Sequence, residues 1–150
     1  MSELSIDVSW SRGAAVLVPG RFSNAHDITY NAHYTLPGDA APDWGGDATS
    51  TNPEQALAAS LSSCHMMTFL ALAAKASWSV ATYHDHAEAI LGKTAEGKMA
   101  VTDLKLSPRV TFDTGSEQPD DAVLEMHARA HRYCFIANSV SANMHIEPAL

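Results

Sequence analysis

From Asn52 to Lys75 the chain leaves itself little choice but a long helix placed at the centre of a fold. The start is marked by Asn52-Pro53-Glu54-Gln55. Asn52 can cap, Pro53 suits the first helical position, where a missing N–H has no intrahelical partner to lose, and Gln55 completes a capping box. Glu54 lies at the positive end of the helix dipole and Lys75 at the negative end. Between them Ala56, Leu57, Ala58, Ala59, Leu61, Met66, Met67, Phe69, Leu70, Leu72 and Ala73 leave no clean polar face. A helix that is apolar nearly all round is expected to be buried centrally. Ser60, Ser62, Ser63, His65 and Thr68 make the same segment too polar for a bilayer span.

The flanking segments supply strands to surround such a helix. Ile6, Val8 and Trp10 alternate with polar neighbours, and Ala14 to Val18 is a second apolar run closed by the turn signal Pro19-Gly20. Ile28, Tyr30, Ala32 and Tyr34 alternate again, completing an expected antiparallel meander. Pro37 to Ser50 reads as a loop carrying Trp44, long enough to be functional or mobile. Trp78 to Leu91 and Lys98 to Phe112 read as two strands joined by a Gly92–Gly97 turn. A second helix runs from Pro119 to about Tyr133, with Asp120 and Asp121 in its first turn, followed by a short helical segment and a closing strand at Met144 to Glu147. The order β-β-β-α-β-β-α-β predicts a single α+β domain over 1–150.

Composition narrows the partners. Apolar residues make up 46% of the chain and charged residues 17%, a balance that points to apolar surface hidden in an oligomer interface. The net charge of −8 excludes the basic footprint that phosphate neutralisation needs, so neither nucleic acid nor an anionic membrane is an expected partner. Met1 to Trp10 has no basic start and no apolar core, which predicts no secretory leader. A cytoplasmic setting follows, where a cysteine pair is catalytic, redox-sensing or metal-binding more often than structural.

The chain has two cysteines, Cys64 within Ser62-Ser63-Cys64-His65 and Cys134 at the end of the second helix in His131-Arg132-Tyr133-Cys134. Neighbouring cations would favour the thiolate, the reactive form. Each is equally open to the reading of a small buried hydrophobe. With 70 residues between them they form no CxxC motif, and pairing requires Cα atoms within ~7 Å. A rival chemistry is a zinc site, because His127, His131 and Cys134 fall at i, i+4, i+7 and Cys64 could complete the set; His84-Asp85-His86 is a weaker candidate. Met66, Met67, Phe69, Trp44 and Phe135 could line an apolar pocket or simply fill the core, which keeps a non-catalytic binder of apolar ligands open as well. His65 either tunes the thiolate or is an exposed helical histidine.

Asn52-Pro53-Glu54-Gln55, then Ala58-Ala59, then Cys64, with a distant helix ending in Cys134, resembles the OsmC/Ohr family of organic hydroperoxide reductases. The resemblance spans about Pro19 to Pro148. It implies an α+β sandwich with antiparallel sheets around a long buried central helix, intertwined as a homodimer. It implies that Cys64 is the peroxidatic cysteine and Cys134 the resolving cysteine, that Arg21 is the candidate active-site arginine, and that Glu54 orients it. It also implies an organic hydroperoxide as substrate, an external dithiol of lipoyl type as reductant, and no cofactor. Trp44, Met67 and Phe135 are the residues expected to meet the substrate's alkyl part, Trp44 as a lid. Phe135 stands where members of the family often have proline. On an ideal helix Glu54 and Cys64 are roughly 15 Å apart, so either Arg21 bridges part of that gap or the second subunit supplies the glutamate, the latter being the favoured expectation.

Overall fold

A computed structural model describes residues 4–13 and 16–150. The chain divides into two compact units, Met1–Ala56 and Leu57–Leu150.

The first unit holds a three-stranded antiparallel sheet in the order β1-β2-β3, with β1 at Ile6–Ser9, β2 at His26–Tyr30 and β3 at Tyr34–Gly38. The expected strand at Ala14 to Val18 does not form over its described part, and Ala14 and Ala15 lie outside the described residues. The meander keeps its third strand because the alternating run Ile28 to Tyr34 is not one strand but a hairpin. Asn31 and Ala32 take φ of 53° and 57°, the left-handed pair of a tight turn closed by the His33 N–H on the Tyr30 carbonyl at 3.1 Å, and Tyr30 pairs with Tyr34 across the three-residue loop. Alternation of apolar residues continues through the turn, so periodicity alone could not reveal it.

After β3 the backbone crosses a loop containing the short 3-10 helix Pro42–Trp44. The loop closes on itself: Asp39 N–H donates to the Thr51 carbonyl at 2.9 Å, Thr51 N–H donates to the Pro37 carbonyl at 3.0 Å, and the Asp39 carboxylate accepts from the N–H of Ala40 and of Asp47. At Gly46 a Cβ would lie 1.7 Å from the Ala40 carbonyl oxygen, so only glycine lets the loop pass. The loop leads into α1, Pro53–Lys75. The expected capping box is present: Gln55 N–H donates to Asn52 Oδ1 at 2.9 Å and Asn52 N–H donates to Gln55 Oε1 at 3.3 Å.

The second unit takes the rest of α1, then β4 (Val80–Lys93), β5 (Met99–Phe112), α2 (Asp120–Tyr133) and β6 (Asn143–Ile146). β4 and β5 form a long antiparallel hairpin. β6 lies parallel to β5, with Leu104 opposite Met144, which departs from the expectation of purely antiparallel sheets. The reason is topological: α2 is a crossover that returns the chain to the end of the sheet from which β5 began.

One apolar cluster joins Ala58 and Leu61 of α1 to Leu104 and Leu106 of β5 and to Cys134. Another joins Phe69 and Ala73 to Met126 and Ala130 of α2. The residues of α1 buried within the chain, Ala58, Leu61, His65, Phe69 and Ala73, recur at helical spacing and form one stripe. The expectation of burial all round is therefore corrected: Ala59, Ser63, Met67 and Ala71 form an opposite stripe that the chain itself leaves exposed. By length and composition α1 could cross a bilayer, yet its middle carries hydrogen bonds from Ser62 to Asp85 of β4 and between His65 and His127 of α2, as in a core helix.

Candidate functional site: two thiols between α1 and α2

Cys64 sits on the α1 turn that follows Leu61, and Cys134 terminates α2 with its backbone already extended, at φ −71° and ψ 118°. The two sulfurs are within hydrogen-bond reach, and both are free thiols. A separation of 70 residues is thus closed by packing two helices against one strand pair.

The two thiols are electrostatically unlike. Burial acts most strongly on Cys64 and pushes its pKa up, but donation from the Cys134 S–H and from the backbone N–H of Ile136 and Phe135 outweighs burial, so the net change is downward; the Thr68 hydroxyl donates to the Cys64 carbonyl at 2.8 Å. Cys134 is fully buried, and burial together with its bond to Cys64 pushes its pKa up to about 11. The Ala137 N–H donates to Cys134 Sγ at 3.4 Å without reversing that. After α2 the chain bends back through Phe135 and Ile136 into the 3-10 helix Ala137–Ser139, so that the successive backbone N–H groups of residues 135, 136 and 137 serve the two sulfurs. Of the two thiols, Cys64 is therefore the one whose surroundings favour the charged form.

This corrects the expectation that flanking cations activate the thiols. Arg132 points to solvent and pairs with Glu125 at 3.4 Å. His65 is not exposed either: it is fully buried, and its Nε2 lies 3.0 Å from Nδ1 of His127, itself 2% exposed. The two rings are nearly coplanar, at 4°, and Phe69 stacks on His127. Burial, with neighbouring imidazoles adding, lowers both histidines to about 4, so the pair is neutral at pH 7. Ser62 Oγ donates to Asp85 Oδ2 at 2.5 Å, and Asp85 Oδ1 accepts the Ser107 N–H at 2.7 Å. Tyr83, whose hydroxyl is buried without a partner among the described residues, has its pKa raised chiefly by burial.

Of the remaining expected site residues, Phe135 adds its N–H to Cys64 while its ring is 82% exposed, and Met67 lies on the open stripe of α1. Arg21, Glu54 and Trp44 belong to the first unit. Arg21 follows the Pro19-Gly20 turn with its N–H on the Val18 carbonyl, Trp44 is exposed, and Glu54 Oε2 is buried without a hydrogen-bond partner among the described residues. The zinc reading finds no support, because among the described residues no group of three or more His, Cys, Asp or Glu is arranged to hold a metal ion. His127 is turned to His65 and Cys134 to Cys64; His84 and His86 are exposed while Asp85 serves Ser62. Phe69 is core.

Sequence reasoning overlooked the His65–His127 bond and the part Asp85 plays as acceptor for Ser62 and the Ser107 N–H. A signal existed for the first: Leu61, His65, Phe69 and Ala73 are spaced by four, and Val123, Met126, His127 and Ala130 share the apolar face of α2. Each histidine lies on the buried stripe of its helix.

Residues 45–149 match the family model described as OsmC-like protein. An OsmC-like protein of unknown function from Vibrio cholerae is 36% identical, over 99% of this chain and 100% of its own, with a TM-score of 0.93. An organic hydroperoxide resistance protein from Legionella pneumophila shares the fold at a TM-score of 0.70 and 18% identity, covering 99% of this chain and 97% of its own. One from Bacillus subtilis does so at 0.70 and 17%, covering 97% and 98%. No curated protein matches the sequence significantly.

Proposed function

The chain belongs to the OsmC-like family, and on that premise we propose that it is a thiol-dependent peroxidase reducing organic hydroperoxides to alcohols. The observation that carries this reading is the proton asymmetry of two neighbouring thiols: the lowered member is poised to attack and the raised member holds its proton until needed. Two of the fold neighbours are named organic hydroperoxide resistance proteins, which supports the substrate class.

The proposed cycle balances. The Cys64 thiolate attacks the outer peroxide oxygen, the O–O bond breaks, and the departing alkoxide takes a proton and leaves as the alcohol. Cys64 is then a sulfenic acid. Cys134 attacks the Cys64 sulfur, its proton goes to the leaving hydroxide, and water departs from the new disulfide. An external dithiol of lipoyl type, itself oxidised to a disulfide, restores both thiols by exchange. Arg21, oriented by Glu54, is proposed to hold the thiolate and peroxide; the unpartnered carboxylate oxygen of Glu54 supports a charged partner for it. Trp44, Met67 and Phe135 are proposed to receive the alkyl part of the peroxide. The protein is proposed to act in the cytoplasm as a homodimer, for which the open stripe Ala59, Ser63, Met67 and Ala71 supports a second chain packing on α1.

The test is a thiol count and a turnover assay. One equivalent of organic hydroperoxide should remove both titratable thiols of the wild type, and Cys64→Ser should abolish dithiol-dependent turnover. An unchanged thiol count after stoichiometric peroxide would refute the proposal.

A further inference from the structure

Cys64 lies between two polar anchors in a helix otherwise held by apolar contacts. On one side Ser62 is fixed to Asp85, which is in turn fixed to the β5 backbone at Ser107. On the other, His65 meets His127 of α2, the helix that ends in Cys134. Otherwise Phe69 and Ala73 of α1 share an apolar cluster with Met126 and Ala130 of α2, and Ala58 and Leu61 share one with Cys134. Apolar contacts hold helices together but are non-directional. A hydrogen bond between two planar rings is directional, fixing both distance and rotation.

We propose that the His65–His127 pair is a positioning device that sets how Cys134 approaches Cys64. The placement is specific: His65 follows Cys64 directly, and His127 stands two helical turns before Cys134, so a shift between α1 and α2 at this bond moves one sulfur against the other. The bond is retained at a cost. His65 Nδ1 and His127 Nε2 are both buried without partners, whereas two leucines would leave no polar atom unsatisfied. A fold that keeps the costlier pair gains direction from it, as buried polar groups do elsewhere when they fix register. Neither ring is among the groups that act on the Cys64 sulfur, so the pair is a positioning device and not a catalytic one. The inference rests on the thiol chemistry proposed above only for its use in the cycle; disulfide formation can be read without peroxide.

The experiment measures disulfide formation between Cys64 and Cys134 by quenched mass spectrometry, using diamide in one arm and one equivalent of an organic hydroperoxide in the other. Diamide takes the two thiol protons and an electron pair, becoming the hydrazine as the disulfide forms. His65→Leu and His127→Leu should each slow closure of the disulfide at least about tenfold in both arms, while the rate of Cys64 alkylation by iodoacetamide changes less than about threefold. With peroxide, over-oxidised Cys64 should accumulate. The double variant His65→Gln/His127→Asn, in which two amides restore a hydrogen bond across the same gap, should recover closure to within about threefold. Closure at the wild-type rate in folded leucine variants would overturn the proposal. Should the leucine variants not fold, the amide series decides: His65→Gln and His127→Asn alone must close more slowly than their combination, and equal rates overturn it. Failure of the wild type with peroxide but not with diamide would count against the peroxidase reading and leave the diamide comparison to decide the pair.

Discussion

Acidification should unfold this protein in a way that two residues dominate. His65 and His127 are buried against each other, and each is lowered from an ordinary 6.5 to about 4. A group whose folded pKa lies below its unfolded value adds stability above the unfolded value and loses it as pH falls toward the folded one. The contribution is thus whole at pH 7, begins to fail below about 6.5, and is largely gone near pH 4. One pKa unit corresponds to 1.36 kcal/mol, which gives about 2 kcal/mol per ring lost by pH 5 and about 3 kcal/mol by pH 4. The rings repel each other when charged, so the two figures overlap and the pair should lose about 3–6 kcal/mol by pH 4. His131 and Asp85 also face His65, with opposite signs, and a comparison that leaves both in place removes their share. The assay is urea unfolding at pH 7, 6, 5 and 4 for the wild type and for His65→Leu/His127→Leu. Carboxylate titration destabilises both proteins alike, so the difference between the curves isolates the imidazoles. The wild type should lose at least about 3 kcal/mol more than the variant between pH 7 and 4; parallel curves would refute the argument.

Further measurements test other parts of the structure. The pH midpoint of Cys64 alkylation should lie below that of an ordinary thiol and should rise in Cys134→Ala, since that substitution removes an S–H donor to the sulfur. Cys134→Ser should accept one oxidation by organic hydroperoxide and then stall, with sulfinic acid on Cys64 detected by mass spectrometry. Asn52→Ala should cost about 1 kcal/mol in chemical unfolding by removing the cap of α1. Ser77, at φ 59° just past the end of α1, should become more favourable as glycine, with Ser77→Gly raising stability by about 1 kcal/mol.

What the sequence revealed and what it concealed follow one physical division. Local signals were legible: the capping box at Asn52 and Gln55 and the acidic start of α2 depend on residues a few positions apart. The Asn31–Ala32 turn stayed hidden because alternation passes through it unbroken and alanine is an unusual residue for a left-handed turn. The parallel β6 stayed hidden because strand direction depends on the crossover rather than on the strand's own residues. At the site, the cysteines were conspicuous, but what sets their acidity is burial, the contact of each sulfur with the other and then the backbone N–H groups of Ile136 and Phe135, none of which a side-chain pattern announces. Arg132 looked like an activating neighbour only because adjacency in sequence was read as adjacency in space; on α2 it turns outward to Glu125.

The asymmetry of the thiols also fixes the direction of the proposed chemistry. Were Cys134 the attacking sulfur, it would have to lose a proton held up to about 11 inside a fully buried position, where a peroxide has no approach. Cys64 is partly exposed, lies beside the open stripe of α1, and has donors already arranged around its charge. Once Cys64 is oxidised to a neutral sulfenic acid, the charge that Cys134 S–H was stabilising is gone. Its proton is then freed from that bond and can pass to the leaving hydroxide, so the oxidation that creates the electrophile also removes a restraint on the second nucleophile. The same contact that suppresses Cys134 before the peroxide arrives therefore releases it afterwards. That ordering requires the two sulfurs to keep their relative placement throughout, which is the part assigned to Ser62–Asp85 on one side and His65–His127 on the other.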